Sequence, residues 1–381
     1  MSKKILIVVG TRPEVIKVAP IINELKKNQS DFNVKVCITG QHESMLISAL
    51  EIFQIKPDYN LKIMEPNQTL FSITSKIINK LEAVLEEFGP DLVMVHGDTT
   101  TTLSASIASF YKKIKLAHIE AGLRTSNKYS PYPEEMNRRI TSQIADYNFA
   151  PTKESFNNLL KEGIDKSKII ITGNTVIDAL LQTLNKISED TDLKRKLEAK
   201  LALEYFHLGK NKRIVLVTGH RRENFGEKFI NICKAIKDLA IANNDIDIVY
   251  PVHLNPMVQE PVYNILKDLD NVFLINPLDY ESFIYLMNKS YIILTDSGGV
   301  QEEAPSIGKP VLVFRENTER PEAVDAGTVK IVGTDRNKIR DEAQLLLDKE
   351  QLYNEMSHSL NPYGDGKASK RIINFLIKEF L

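Results

Sequence analysis

Short runs of valine, isoleucine and leucine recur along this chain, and most are followed by a segment with helical spacing. The first set is KILIVVG (4–10), VKVCITG (34–40), DLVMVHG (91–97), KLAHIEA (115–121) and KIIITGN (168–174). The second is RIVLVTG (213–219), IDIVYPV (246–252), NVFLIN (271–276), YIILTD (291–296) and PVLVFR (310–315). A near-continuous apolar run is what a parallel strand needs when both faces of its sheet are covered. Between the runs, PEVIKVAPIINELKK (13–27) and TLFSITSKIINKLEAVLEEFG (69–89) repeat apolar residues at three and four. Pro13 suits a first helical turn, and Gly89-Pro90 is a stop signal. The alternation predicts a parallel α/β architecture. It runs twice, with about five strands before residue 175 and about five after residue 212. The charged, helical stretch 176–211 reads as a link plus the first helices of a second domain. The expected division is 1–175 and 176–363, with a C-terminal helix over 364–381 packing back on the first domain. GDGKAS (364–369) reads as the turn and cap before that helix. Two such domains imply a cleft, and in open parallel sheets a ligand sits beyond the carboxyl ends of the strands.

Composition narrows the partners. Lys and Arg total 49 against 50 Asp and Glu, so no bulk field favours nucleic acid or an anionic membrane. Cys37 and Cys233 match no C-x-x-C pattern and read as small hydrophobes in a reducing compartment. ILIVV (5–9) is too short for a signal peptide, and no run reaches the ~18–20 apolar residues of a membrane span. The expectation is a soluble, cytoplasmic protein.

The polar residues gather where the strands stop. The ends read GTRPE (10–14), HGDTTTT (96–102), HIEAGLRT (118–125), GHRREN (219–224), HLNP (253–256), DSGGVQEE (296–303) and RENTERPE (315–322). Five of the seven histidines fall in these ends or in QH at 41–42, which marks a site rather than a core. In DSGGVQEE, Ser297, Gly298 and Gly299 let a backbone approach a pyrophosphate at a helix start, and Glu302 or Glu303 could take ribose hydroxyls. The competing reading is a tight turn with Ser297 as N-cap. In GTRPE, Gly10 makes the turn, Thr11 can cap, Arg12 offers a fork to phosphate and Lys17 adds charge a turn later. A lone arginine is otherwise a solvated side chain. Asp98 could be an N-cap. Glu120 follows an apolar strand, where a carboxylate is costly unless paired or used. Glu134 and Glu135 open a helix, where carboxylates also suit the dipole. His220, Arg221 and Arg222 suit an anion, and His253 with Asn255 repeats that pattern. No zinc-ligand spacing, strand-following G-x-G-x-x-G or P-loop is present, which disfavours metal, nicotinamide and ATPase chemistry.

In order, GTRPEVIKVAP, HGDTTTT, HIEAGLRT, YSPYPEEMNR, TGNTVIDAL, TGHRREN, YPVHLNP, TDSGGVQEEAPSIGKPVLV, TERPEAV and NPYGDG span nearly the whole chain. This string resembles the non-hydrolysing UDP-N-acetylglucosamine 2-epimerases of bacteria and archaea. The resemblance implies two Rossmann-like domains facing a cleft, as in GT-B glycosyltransferases, and a homodimer. It implies interconversion of UDP-GlcNAc and UDP-ManNAc through a 2-acetamidoglucal, with no cofactor or metal, supplying ManNAc-type sugars for surface polysaccharide. By family motif, Arg12, His220, Ser297, Gly298, Gly299, Glu303 and Arg320 hold UDP in the second domain's site, with Lys17 and Phe283 lining it. Asp98, Glu120 and Glu134 are the carboxylates carried over for catalysis, and His220 is grouped with them. His118 and Arg124 are expected to position Glu120 or a neighbour. Some bacterial relatives bind a second UDP-GlcNAc as activator through a QHRQM-like segment and an arginine before a QT pair. Here QHESM (41–45) keeps Gln41 and His42, but Ser44 and Asn67 depart from the pattern, so the full activator site is not expected. The alternatives are a hydrolysing 2-epimerase releasing ManNAc and UDP, a GT-B glycosyltransferase, and a non-catalytic UDP-sugar sensor.

Overall fold

In the computed structural model the described residues are 2–40, 43–65 (backbone alone for 43–45), 68–125, 127–204, 212–316, 318 and 320–381. The chain divides into two units, Met1–Ala179 with Tyr363–Leu381, and Leu180–Pro362. The division falls inside the helix Thr175–Glu189.

The first unit holds β1 (Lys3–Val9), β2 (Phe32–Ile38), β3 (Tyr59–Asn60), β4 (Leu92–His96), β5 (Lys115–Ile119), β6 (Tyr147–Ala150) and β7 (Ile169–Ile171). They form one sheet in the order β3-β2-β1-β4-β5-β6-β7, and every pair is parallel. The second unit holds β8 (Arg213–Thr218), β9 (Ile246–Pro251), β10 (Val272–Ile275), β11 (Ile292–Thr295), β12 (Val311–Val313) and β13 (Val329–Ile331). Their order is β10-β9-β8-β11-β12-β13, again all parallel. The strand order in each sheet therefore reverses once, between β1 and β4 in the first unit and between β8 and β11 in the second. That crevice is where open α/β sheets bind ligands.

Three strands exceed the sequence expectation. Tyr59–Asn60 and Val329–Ile331 are two and three residues long at sheet edges, below what apolar periodicity resolves. Tyr147–Ala150 lies inside its sheet yet carries Asn148, whose side-chain amide is spent on Ser142 O at 3.2 Å. The other elements start and stop for local reasons. Leu70–Phe88 opens with a reciprocal Thr69/Ser72 capping box and closes on Gly89 at φ 60, a backbone that glycine adopts readily. The C-terminal helix Ala368–Phe380 packs against Arg12–Lys27 in the first unit, and Phe375 meets the Tyr147 ring edge-on at 5.2 Å. Its first N–H groups are not met by a residue of GDGKAS. Asp178, fully buried, accepts Ala368 N at 3.1 Å, Ser369 N at 2.8 Å and Ser369 Oγ at 2.5 Å.

Cys37 and Cys233 are free and buried in the two cores, and burial pushes both thiols up to about 12. Among the described residues, no helix is long and apolar enough to cross a membrane.

Candidate active site

The reversal point of the first sheet is built by close packing. A Cβ on Gly10 would lie 2.1 Å from Thr101 Oγ1, so only glycine lets the end of β1 approach the helix Thr100–Tyr111. Glu14, missed in the sequence reading, ties this region together. Its buried carboxylate accepts Gly10 N at 3.1 Å and Thr99 Oγ1 at 2.9 Å. Burial raises its pKa, against those hydrogen bonds. Thr11 precedes the first helix but makes no capping bond through its side chain. The Arg12 guanidinium is half-buried and has no partner among the described residues.

Asp98 is not the N-cap of its helix. Thr99 takes that role, accepting from Thr102 N at 3.2 Å. The Asp98 carboxylate is thereby left to face Arg138 Nη2 at 2.5 Å. Desolvation raises the Asp98 pKa, Arg138 opposes it, and the charges of Glu120 and Glu134 raise it further. Asp98 thus feels two further carboxylates, one at the end of β5 and one at a helix start, as in sites that move protons.

Glu120 sits at φ +62, in the left-handed region that non-glycine residues rarely adopt. Such a conformation costs about 1–3 kcal/mol and persists where the surroundings enforce it. The turn takes the side chain out of the strand alternation, which is why a buried strand can end in a carboxylate. Lys17 forms an ion pair with Glu120 Oε2, Asn174 Nδ2 donates to the same oxygen at 2.9 Å, and His96 Nε2 lies 3.8 Å away. His96 is buried, its Nε2 has no hydrogen-bond partner among the described residues, and desolvation pushes its pKa down to about 4 despite Glu120. Lys17, expected to line the nucleotide region and add charge there, pairs with Glu120 in this structure.

His118 and Arg124, expected to position Glu120 or a neighbour, make side-chain bonds to other groups. His118 donates from Nε2 to Gly97 O at 2.7 Å and pairs Nδ1 with Ser142 Oγ at 3.1 Å, so it braces the β4 turn. Burial pushes its pKa down to about 3. Arg124 forms a fork with Glu162 at 2.8 and 2.7 Å. The two glutamates at 134–135 also separate. Glu135 is fully buried and serves Thr125 N at 3.1 Å and Arg139 Nε at 2.8 Å, while Glu134 is half-buried at the start of Glu134–Ile144. Arg138 and Asn174 were also missed. The cues were Arg138 one turn after Glu134, and Asn174 directly after a strand.

The second sheet's reversal point uses a buried acid differently. Asp296, with no exposed surface, accepts His220 N at 3.0 Å, Arg221 N at 2.9 Å and Asn224 Nδ2 at 3.2 Å. It thereby folds the end of β8 beside the end of β11. His220 remains 43% exposed and stacks on His253 at 5.3 Å and 13°. Partial desolvation lowers its pKa, with His253 and Arg221 in support, against the pull of Asp296. Asn255 caps the helix Pro256–Leu266 through Met257 N at 3.0 Å.

Ser297 stands at the N-cap of Gly298–Glu303 but makes no side-chain capping bond, so its hydroxyl is not used as the alternative reading required. Gly298 leaves room for the Arg320 guanidinium, since a Cβ there would lie 2.7 Å from Arg320 Nη1. Arg320 is held by the buried Glu302, Nε to Oε1 at 2.7 Å. Glu302 is thus a support for Arg320, and Glu303, accepting from Tyr280 OH at 3.3 Å, is the other acid of the pair. Phe283 is half-buried on Tyr280–Lys289. Gln41, His42 and Asn67, which bear on the activator site, lie outside the described residues. Among the described residues no group of three His, Cys, Asp or Glu side chains could hold a metal ion.

The first unit can therefore hold and move protons, and the second presents cationic and glycine-rich strand ends suited to a diphosphate. The family model described as UDP-N-acetylglucosamine 2-epimerase matches residues 23–377. A UDP-N-acetylglucosamine 2-epimerase of Campylobacter jejuni is 57% identical over 378 residues, 99% of this chain and 98% of that protein. The crystal structure of UDP-GlcNAc 2-epimerase from Neisseria meningitidis bound to UDP-GlcNAc matches with a TM-score of 0.91 at 52% identity, covering 98% of this chain and 100% of that one. A glycosyltransferase of Rickettsia africae, 15% identical with a TM-score of 0.63 over 99% of this chain and 98% of its own, shares the GT-B-like fold alone. The chain belongs to the UDP-N-acetylglucosamine 2-epimerase family.

Proposed function

We propose that this protein interconverts UDP-GlcNAc and UDP-ManNAc by elimination and re-addition of UDP, without net hydrolysis. The proton on carbon 2 of the sugar is not next to a carbonyl and is too weakly acidic for direct removal. Cleavage of the bond from carbon 1 to the diphosphate oxygen, with the electron pair leaving on UDP, develops oxocarbenium character and acidifies that proton. Its loss gives 2-acetamidoglucal and UDP. Protonation of carbon 2 from the other face, with the UDP oxygen returning to carbon 1, gives the epimer.

The observation that carries this reading is the Glu120 carboxylate at the end of β5, paired with Lys17 and Asn174, with Asp98 after β4 held on Arg138 and Glu134 opening the helix one turn before that arginine. Two faces of one carbon need two proton-moving groups. The leaving diphosphate needs positive charge, for which Arg12, His220, Arg320 and the Ser297–Gly298–Gly299 turn are the candidates. Glu303 is assigned to the ribose and Phe283 to the surroundings of the nucleotide. The chemistry requires no metal or redox cofactor. We place the protein in the cytoplasm as a homodimer, supplying ManNAc-type sugars for surface polysaccharide.

The test is product analysis by NMR after incubation with UDP-GlcNAc. UDP-ManNAc as the main product, with only trace UDP, supports the reading. Free ManNAc with stoichiometric UDP would move the protein to the hydrolysing class.

A further inference from the structure

We propose that Asn174 is a positioning residue that fixes the orientation of the Glu120 carboxylate, a role that rests on the reading of Glu120 as a proton-moving group. Asn174 follows β7 and is 2% exposed. Its Oδ1 accepts Val176 N at 3.0 Å, which decides which end of the amide is oxygen and turns Nδ2 toward Glu120 Oε2 at 2.9 Å. Its backbone N donates to Tyr363 O at 2.7 Å, so the residue is held from both ends before it reaches the carboxylate.

The two donors on Oε2 differ in kind. Lys17 brings a full charge on a flexible four-carbon stem, which attracts the carboxylate without fixing its plane. Asn174 brings a neutral donor in one fixed direction. A carboxylate that exchanges protons with one carbon needs that orientation held within a fraction of an ångström. Lys17 on its helix and His96 on β4 face Glu120 Oε2, and Asp98 on the turn after β4 and His118 on β5 feel its charge.

Asn174→Asp separates this role from simple helix capping. The aspartate still accepts from Val176 N, but it loses the donor to Glu120 and adds a like charge. We expect kcat to fall ~10–100-fold with KM for UDP-GlcNAc within about 3-fold. Loss of the donor raises the proton affinity of Glu120, so whichever limb of the kcat–pH profile Glu120 governs moves to higher pH. If the buried charge prevents folding, Asn174→Ser carries the same split, since serine can cap but is too short to reach Glu120. Parent kcat and an unmoved pH profile in the folded cap-retaining variant, with only Asn174→Ala losing thermal stability, would overturn the proposal. Glu120→Gln is the control. Parent turnover in that variant removes the reading of Glu120 and this inference together. An inactive Glu120→Gln beside unchanged Asn174 variants removes this inference alone.

Discussion

The strand order of the two sheets reverses in the same way, yet the reversal points use acids oppositely. In the first unit Glu120 meets Lys17 and Asp98 meets Arg138, each through side-chain cations. In the second, Asp296 faces backbone N–H groups, and Glu302 holds Arg320 from behind. On the proposed function, the first arrangement keeps carboxylates as the working groups. The second spends Asp296 and Glu302 on the scaffold and leaves histidine, arginine and Glu303 to work. On that reading one topology serves proton movement or anion binding, depending on which charge stands in front.

Glu120→Gln bears most heavily on this contrast. It should lose about 10²–10⁴-fold in turnover. UDP affinity by calorimetry and thermal stability should be retained. A matching loss of UDP affinity would mean that the first unit's carboxylates serve binding. Next is Glu303→Ala, which removes the acceptor proposed for the ribose. KM for UDP-GlcNAc should rise about 10–100-fold with kcat largely kept, from ~1.5–3 kcal/mol of hydrogen bonding to a charged group. A kcat collapse there would blur the division of labour.

Smaller effects test the residues that the structure withdraws from the site. Arg124→Ala breaks the fork to Glu162 and should cost about 1–3 kcal/mol in denaturant unfolding, while turnover stays near that of the parent. The smallest concerns His118, held down at about 3 against 6.5 for an ordinary histidine. As pH falls below 6.5, the unfolded chain takes up a proton that the folded chain refuses, so this group's stability is present above 6.5 and lost toward about 3. Each such histidine contributes a slope of at most about 1.4 kcal/mol per pH unit. His118→Gln should therefore lose less melting temperature than the parent between pH 6.5 and about 5.

Much of the site was legible because strand ends announce themselves, with an apolar run, then a glycine, then ionisable side chains. Asp98, Glu120, His220 and the Ser297–Gly299 turn all stand at such ends. What was not legible is pairing. Lys17 and Glu120 are 103 residues apart and Asn174 and Glu120 are 54 apart, so no local pattern links them. HIEAGLRT looked like one functional block, but only Glu120 in it joins the carboxylate cluster. His118 and Arg124 find partners 21 and 38 residues away that hold the fold. Short edge strands such as Val329–Ile331 were missed because three residues carry no periodicity.

The most direct test of this division is deuterium incorporation at carbon 2 in deuterium oxide, followed by NMR at saturating UDP-GlcNAc for the parent, Glu120→Gln and Glu303→Ala. The account predicts wash-in by the parent and by Glu303→Ala, and almost none by Glu120→Gln. Parent-level wash-in by Glu120→Gln, with loss of exchange in saturated Glu303→Ala, would contradict it.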